Sequence, residues 1–217
     1  MMKTSTSHEW SILETQLNHQ VGKMETLFAL ANGNLGIRGD YDEPTPAFHR
    51  GTYINGFFEK EPIIYGEIAY GYAENHETIL NLPDPKIVNL IVNGEIFRLD
   101  SAEIRSYKRC LDMQTGLLIR EVEARLPGGC VVLITSRRLV SLSRDPIGAI
   151  EYRCTLLESP TTGPVQLVIE APLDGIAENR KAGQDPRVGS KFSKHPYIIK
   201  QCTAQANKAK LLLETHT

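Results

Sequence analysis

The segment at 49–72, HRGTYINGFFEKEPIIYGEIAYGY, gathers Tyr53, Phe57, Phe58, Tyr65, Tyr70 and Tyr72 among glycines, with Asn55, Glu59 and Glu67 between them. Aromatic faces beside amides and carboxylates suit a pyranose ring, which presents an apolar face and a rim of hydroxyls. Tyr53, Asn55, Tyr65 and Glu67 are therefore the candidate contacts, either to carbohydrate or to an interface. Aromatic side chains also supply large buried area to sandwich cores, and that packing role is the commoner one. Composition leaves both readings open.

A second candidate is the glycine series Gly33, Gly36 and Gly39 in GNLGIRG. Its spacing is neither the dinucleotide fingerprint nor the phosphate-binding P-loop. Both of those need a following helix whose N-terminus faces the anion, and DYDEPTP, which follows Gly39, cannot open one. The glycines are expected to shape a passage from strand to loop. Asp40-Tyr41-Asp42-Glu43 is interrupted by Pro44 and lacks the spacing of a calcium loop. It is predicted as a solvated loop, with Arg38 available to Asp40 as an ion-pair partner.

Other chemistry has little to stand on. Six histidines (His8, His19, His49, His76, His195 and His216) show no H-x-x-x-H grouping, and Cys110, Cys130, Cys154 and Cys202 form no C-x-x-C pair. No metal site is expected from them. No G-x-S-x-G elbow is present, and a hydrolytic pairing of Glu59 with Glu67 has nothing to position it. No catalytic residue is nominated.

Composition narrows the class further. The chain has 217 residues, 41% of them hydrophobic and 23% charged, with a formal net charge of −2. Neither nucleic acid nor an anionic membrane surface is an expected partner, because basic groups such as Arg137-Arg138 are short. No apolar run approaches the ~20 residues that span a bilayer. The opening MMKTSTSHEWSILETQLN has no continuous apolar core, so no secretory signal is read. A cytoplasmic location with free thiols is the expectation.

The elements that would position these residues read as strands. Asn93-Gly94 between KIVNLIV and EIFRL predicts a tight hairpin with positive φ at the turn. LLIREVEARL and CVVLITSRRLVSL form a second hairpin around Pro127-Gly128-Gly129, with Val122, Ala124 and Leu126 on one face. In the strand at 147–157, Ile150, Tyr152, Cys154 and Leu156 share a face opposite Glu151 and Arg153, and Val165, Leu167 and Ile169 continue the alternation. Many short strands at this spacing predict an all-β fold, a large antiparallel β-sandwich with few short helices. Helical pieces are expected near 11–18 and at 204–217, the latter stretch reading equally well as one more strand. Residues 175–194 read as a long loop. The last stretch has neither cap nor breaker, as though the chain were cut there.

Taken together, ETLFALANGNLGIRGDYDE and HRGTYINGFFEKEPIIYGEIAYGY resemble the N-terminal domain of glycoside hydrolase family 65. The likeness continues in order through NLPDPKIVNLIVNGEIFRLD, SYKRCLDMQTGLLIREV, SRRLVSLSRDPIGAIEY and DPRVGS. That family includes maltose, kojibiose, nigerose and trehalose phosphorylases and some hydrolases. The resemblance implies a super-sandwich domain over 1–217 that packs, in the full-length protein, against a catalytic (α/α)₆ barrel absent here. It also implies inverting attack on an α-linked glucose disaccharide, with inorganic phosphate as co-substrate in the phosphorylases and no metal or other cofactor. The family's acid and phosphate site lie in the barrel, so no residue of this chain inherits them. The expected partners are that barrel and a second copy of the chain in a homodimer. The alternative is a stand-alone carbohydrate-binding module.

Overall fold

The computed structural model describes residues 10–173, 177–180 and 192–194. In chain order these residues form β1 (Ser11–Glu14), α1 (Val21–Leu27), β2 (Leu30–Ala31), β3 (Leu35–Ile37), β4 (Thr52–Pro62), β5 (Asn75–Asn81), β6 (Asn89–Val92) and β7 (Glu95–Ile96). The order continues with β8 (Glu103–Asp112), β9 (Leu117–Arg125), β10 (Val131–Val140), β11 (Gly148–Glu158), β12 (Leu167–Glu170), β13 (Glu178–Arg180) and β14 (Phe192–Lys194). Among the described residues the fold is all-β and antiparallel, as alternation predicts, with one helix. Two compact units divide the chain, one at 1–51 with 86–172 and the other at 52–85 with 173–217.

The first unit holds a five-stranded sheet in the order β1-β8-β9-β10-β11 and a three-stranded sheet in the order β12-β6-β7. Asn93 and Gly94 both take positive φ, 51° and 81°, and close the β6–β7 hairpin. Val122, Ala124 and Leu126 face inward together and meet Leu90, Val92, Phe97 and Leu99 of the smaller sheet and its flank. Ile150, Tyr152, Cys154 and Leu156 are the half-buried residues of β11 that alternation predicts, and the last three pack against this cluster. A second apolar cluster joins Met24 and Phe28 of the helical segment to Leu30, Ile37, Leu111, Leu118 and Val140.

Two predicted elements differ. Residues 11–14 form β1 rather than helix, because they add to the edge of β8, with Ser11 opposite Asp112 and Glu14 opposite Arg109. A ladder with a distant strand overrides a weak local preference. The helix starts later, at Val21, after the Asn18 side chain has accepted the Gln20 N–H at 2.8 Å. The segment 175–194 is also more than a loop, since Glu178–Arg180 pairs antiparallel with Phe192–Lys194. The helix expected at 204–217 lies outside the described residues.

In the second unit, β4 pairs with β5 from Tyr53 opposite Asn81 to Pro62 opposite Asn75. The register shifts between Tyr53 and Phe58, where Gly56 takes φ of +97°. Such a bulge bends the strand and re-aims its side chains. Leu80 and Leu82 are buried here, with Ile54 packed against them.

Candidate functional site: a buried ionic row under an acidic strap

Strand alternation places residues 118, 120, 122 and 124 of β9 on the inward face, and 120 is an arginine. In β8 the same face carries Tyr107, Arg109 and Leu111, and in β10 it carries Ile134, Ser136, Arg138 and Val140. The register sets these polar residues side by side. Glu14 lies opposite Arg109, Arg109 opposite Arg120, Arg120 opposite Ser136, and Ser136 opposite Tyr152. One polar row thus crosses all five strands of the sheet. It runs between the two apolar clusters. Two arginines directly opposite each other repel, so the row needs carboxylates.

The segment 39–43 supplies them. Asp40, Tyr41, Asp42 and Glu43 are all buried, Glu43 at 0% exposure. The solvated loop predicted for this stretch is therefore overturned: the acidic residues form a strap laid across the row. The Arg109 guanidinium donates to the Gly39 carbonyl. Asp42 accepts from Ser136 Oγ at 2.7 Å, from Arg138 Nε at 2.8 Å and from Arg138 Nη2 at 2.5 Å, and it pairs with Arg120 at 2.9 Å. Glu43 takes a bidentate pair from Arg120, at 2.5 and 2.6 Å, and the Tyr152 hydroxyl at 3.4 Å. Fork-to-fork pairing of this kind fixes direction as well as charge.

Burial raises the cost of ionising Asp42, but Arg138 and Arg120 hold its carboxyl well below the usual carboxylate range. In return Arg120, though penalised by burial, is raised by Glu43 and Asp42, and Arg138 likewise by Asp42 and Asp40. Burial and then the Glu43 charge push the Tyr152 phenol up. Tyr107, also raised by burial, donates its hydroxyl to Glu14 at 2.9 Å.

Arg38 does not partner Asp40, contrary to expectation. Its guanidinium reaches Glu25 at 3.3 Å and the His49 carbonyl at 2.9 Å, while Glu25 accepts the backbone N–H groups of Phe48 and His49 at 2.7 and 2.9 Å. Asp40 instead pairs with Arg50 at 2.7 Å and Lys86 at 3.5 Å. Gly33 and Gly39 have the conformational role expected of them, whereas Gly36 lies within β3 and a Cβ there would meet only the Ala31 methyl, at 3.7 Å. Gly33 takes φ of +90° in the β2–β3 turn, and a Cβ on Gly39 would lie 2.5 Å from the Phe28 backbone. That contact lets Phe28 and Tyr41 lie on the Arg109 guanidinium, with centroids at 4.4 and 5.0 Å.

The four nominated aromatic-segment residues lie in the second unit. Tyr53 is half-buried on β4, and Asn55 is exposed at the bulge. Tyr65 packs its ring on Tyr72 at 5.0 Å and donates its hydroxyl to the Ala73 carbonyl at 3.0 Å, closing its own loop rather than joining the other three. Glu67 is exposed in that loop, as are Ile64, Ile68, Tyr70 and Tyr72. Among the described residues, no group of three His, Cys, Asp or Glu side chains is placed to hold a metal ion. Cys110, Cys130 and Cys154 are free thiols, and burial pushes Cys154 up to about 11. No described helix is long and apolar enough to cross a membrane.

The family model described as glycosyl hydrolase family 65, N-terminal domain, matches residues 12–217. The chain is 39% identical over 187 residues to an alpha,alpha-trehalose phosphorylase of Thermoanaerobacter brockii, covering 84% of this chain and 24% of that protein. It is 30% identical over 174 residues to a kojibiose phosphorylase of Caldanaerobacter subterraneus subsp. tengcongensis, covering 80% of this chain and 21% of that protein. A solved structure titled as a putative kojibiose phosphorylase from human microbiome superposes with a TM-score of 0.57 at 24% identity, over 67% of this chain and 20% of that one. The chain thus spans about a quarter of the length of the curated relatives it matches.

Proposed function

The chain belongs to glycosyl hydrolase family 65, whose N-terminal domain it matches, and from that premise we propose that it is a non-catalytic support. Its partner would be the catalytic (α/α)₆ barrel of an inverting phosphorylase or hydrolase. The barrel would hold the α-linked glucose disaccharide and, in a phosphorylase, inorganic phosphate, while this domain would stabilise the barrel and a cytoplasmic homodimer. The observation that carries the reading is the acidic strap. A general acid for glycosidic cleavage must keep its proton near neutral pH, whereas Asp42 is held as an anion by Arg138 and Arg120. Locked to two arginines, the buried Asp42 carboxylate sets the backbone of the strap in place.

The exposed aromatic loop of the second unit suits an interface, because contiguous exposed apolar side chains mark interaction surfaces. Tyr70 and Tyr72 beside the exposed carboxylate of Glu67 also favour a second reading, the carbohydrate-binding module. Calorimetric titration of this chain with trehalose, kojibiose and maltose separates the two. A silent titration with no turnover of disaccharide and phosphate is expected of the support. Millimolar or tighter binding that Tyr70→Ala abolishes would establish the module instead, and turnover by this chain would overturn both.

A further inference from the structure

The five-stranded sheet has two edges, β1 and β11. β1 is 4 residues long, whereas β11 runs for 11 residues and is bonded along one side only, to β10. No described strand lies along its other side. An edge of this length offers a row of backbone N–H and C=O groups to any chain that can pair with it. Proline, a common guard of such edges, is absent from Gly148–Glu158. The side-chain pattern is left to select what pairs there. Alternation puts Ala149, Glu151, Arg153 and Thr155 on the outer face, and Ile150, Tyr152 and Cys154 on the half-buried one.

We propose that this edge binds the same edge of a second copy of the chain, antiparallel, with Tyr152 on the two-fold axis, so that two five-stranded sheets become one. The inference rests on the homodimer proposed above and names the surface that forms it. Charge selects the register. With Tyr152 opposite its own counterpart, Glu151 faces the partner's Arg153 and Arg153 faces the partner's Glu151. Ala149 then faces the partner's Thr155, and Ile150 the partner's Cys154. In a continuous sheet only residues of the same face stand opposite each other, so the axis must pass through a residue. Centring it on Glu151 or on Arg153 sets like charges directly opposite, which repel, whereas the Tyr152 register makes two attractive pairs. Centring it on Ile150 or Cys154 leaves both charges without an opposite. Within one copy Glu151 already meets Arg153 and Arg137, but such exposed pairs are weak and leave both groups within reach of a second chain.

Sedimentation equilibrium of the chain over a concentration series tests the proposal, and a dimer is expected. Glu151→Arg alone, or Arg153→Glu alone, sets like charges opposite at two points and should weaken dimerisation about tenfold. Both changes together re-form the pairs with their signs exchanged and should restore it. The two side chains lie on the outer face, so each variant should keep its fold, which thermal midpoints check. Ala149→Cys combined with Thr155→Cys reads the register: the two positions lie about 20 Å apart within one strand, so a disulfide between them must join two copies. A dimer indifferent to Glu151→Arg, or one that the double exchange fails to restore, would overturn the β11 interface while the homodimer stands. A chain monomeric throughout the series, its edge taken by another of its own segments, would overturn both.

Discussion

The acidic strap and the aromatic hairpin invert the ordinary distribution of side chains. In the first unit Asp40, Asp42, Glu43, Arg109, Arg120 and Arg138 are inside. In the second, Phe57, Phe58, Ile64, Ile68, Tyr70 and Tyr72 are outside. In the first region carboxylates meet guanidiniums at 2.5 to 2.9 Å, and Asp42 is ionised because its partners are already there. The second has apolar surface with nothing described upon it. Buried charge therefore marks where the first unit is held together, and the exposed aromatic surface of the second is the face that the proposed interface would use.

The largest effect should come from breaking the strap. Asp42→Ala leaves Arg138 and Arg120 buried with one carboxylate fewer and should cost about 3–5 kcal/mol of unfolding free energy, the usual penalty for removing one partner of a buried pair. Urea denaturation measures it, and a loss under about 1 kcal/mol would mean that the strap is dispensable. Arg138→Ala should approach the same cost. Its neighbour supplies the control: Arg137 is exposed and reaches Glu151 only at 3.5 Å, so Arg137→Ala should stay within about 0.5 kcal/mol of the parent.

Next in size is the response to acid. Since Asp42 titrates lower in the folded chain than in the unfolded one, the unfolded chain binds more protons once the pH falls below about 4. Stability is fully present above that value and declines steadily as the pH drops toward the folded-state pKa. Thermal midpoints recorded from neutral pH downward should show the decline beginning there, and a flat profile would contradict the ionised strap. Gly39→Ala should be smaller, about 1–3 kcal/mol, because the new methyl must displace Phe28 backbone atoms 2.5 Å away. Tyr70→Ala, on the aromatic side of the comparison, should change the denaturation midpoint least, since its ring is fully exposed. If it destabilises the isolated chain as much as Asp42→Ala, the division between scaffold and surface fails.

Much of this was legible in particular residues. Asn93-Gly94 announces its turn because few residues tolerate positive φ. Val122, Ala124 and Leu126 announce an inward face by alternation. The same parity carried back along β9 reaches Arg120, and along β10 it reaches Ser136 and Arg138. An arginine in an inward register is the signal that a buried carboxylate must come from elsewhere. The chain does not say from where. The partners of Asp42 and Glu43 lie 77 to 109 residues away, and a run of acids beside a proline reads locally as a loop in water. β1 was obscured for a similar reason: its pairing lies with β8, far along the chain.

The sequence by itself thus determined the antiparallel strands, the turns between them and the family, because those follow from local backbone preference, alternation and the order of motifs. Only the tertiary structure decided that Asp40-Tyr41-Asp42-Glu43 is interior and that Tyr70 and Tyr72 are exterior. Whether a charged residue stands in water or in a core depends on whether opposite charges converge on it from distant strands. That convergence is set by sheet register, which one chain segment does not contain.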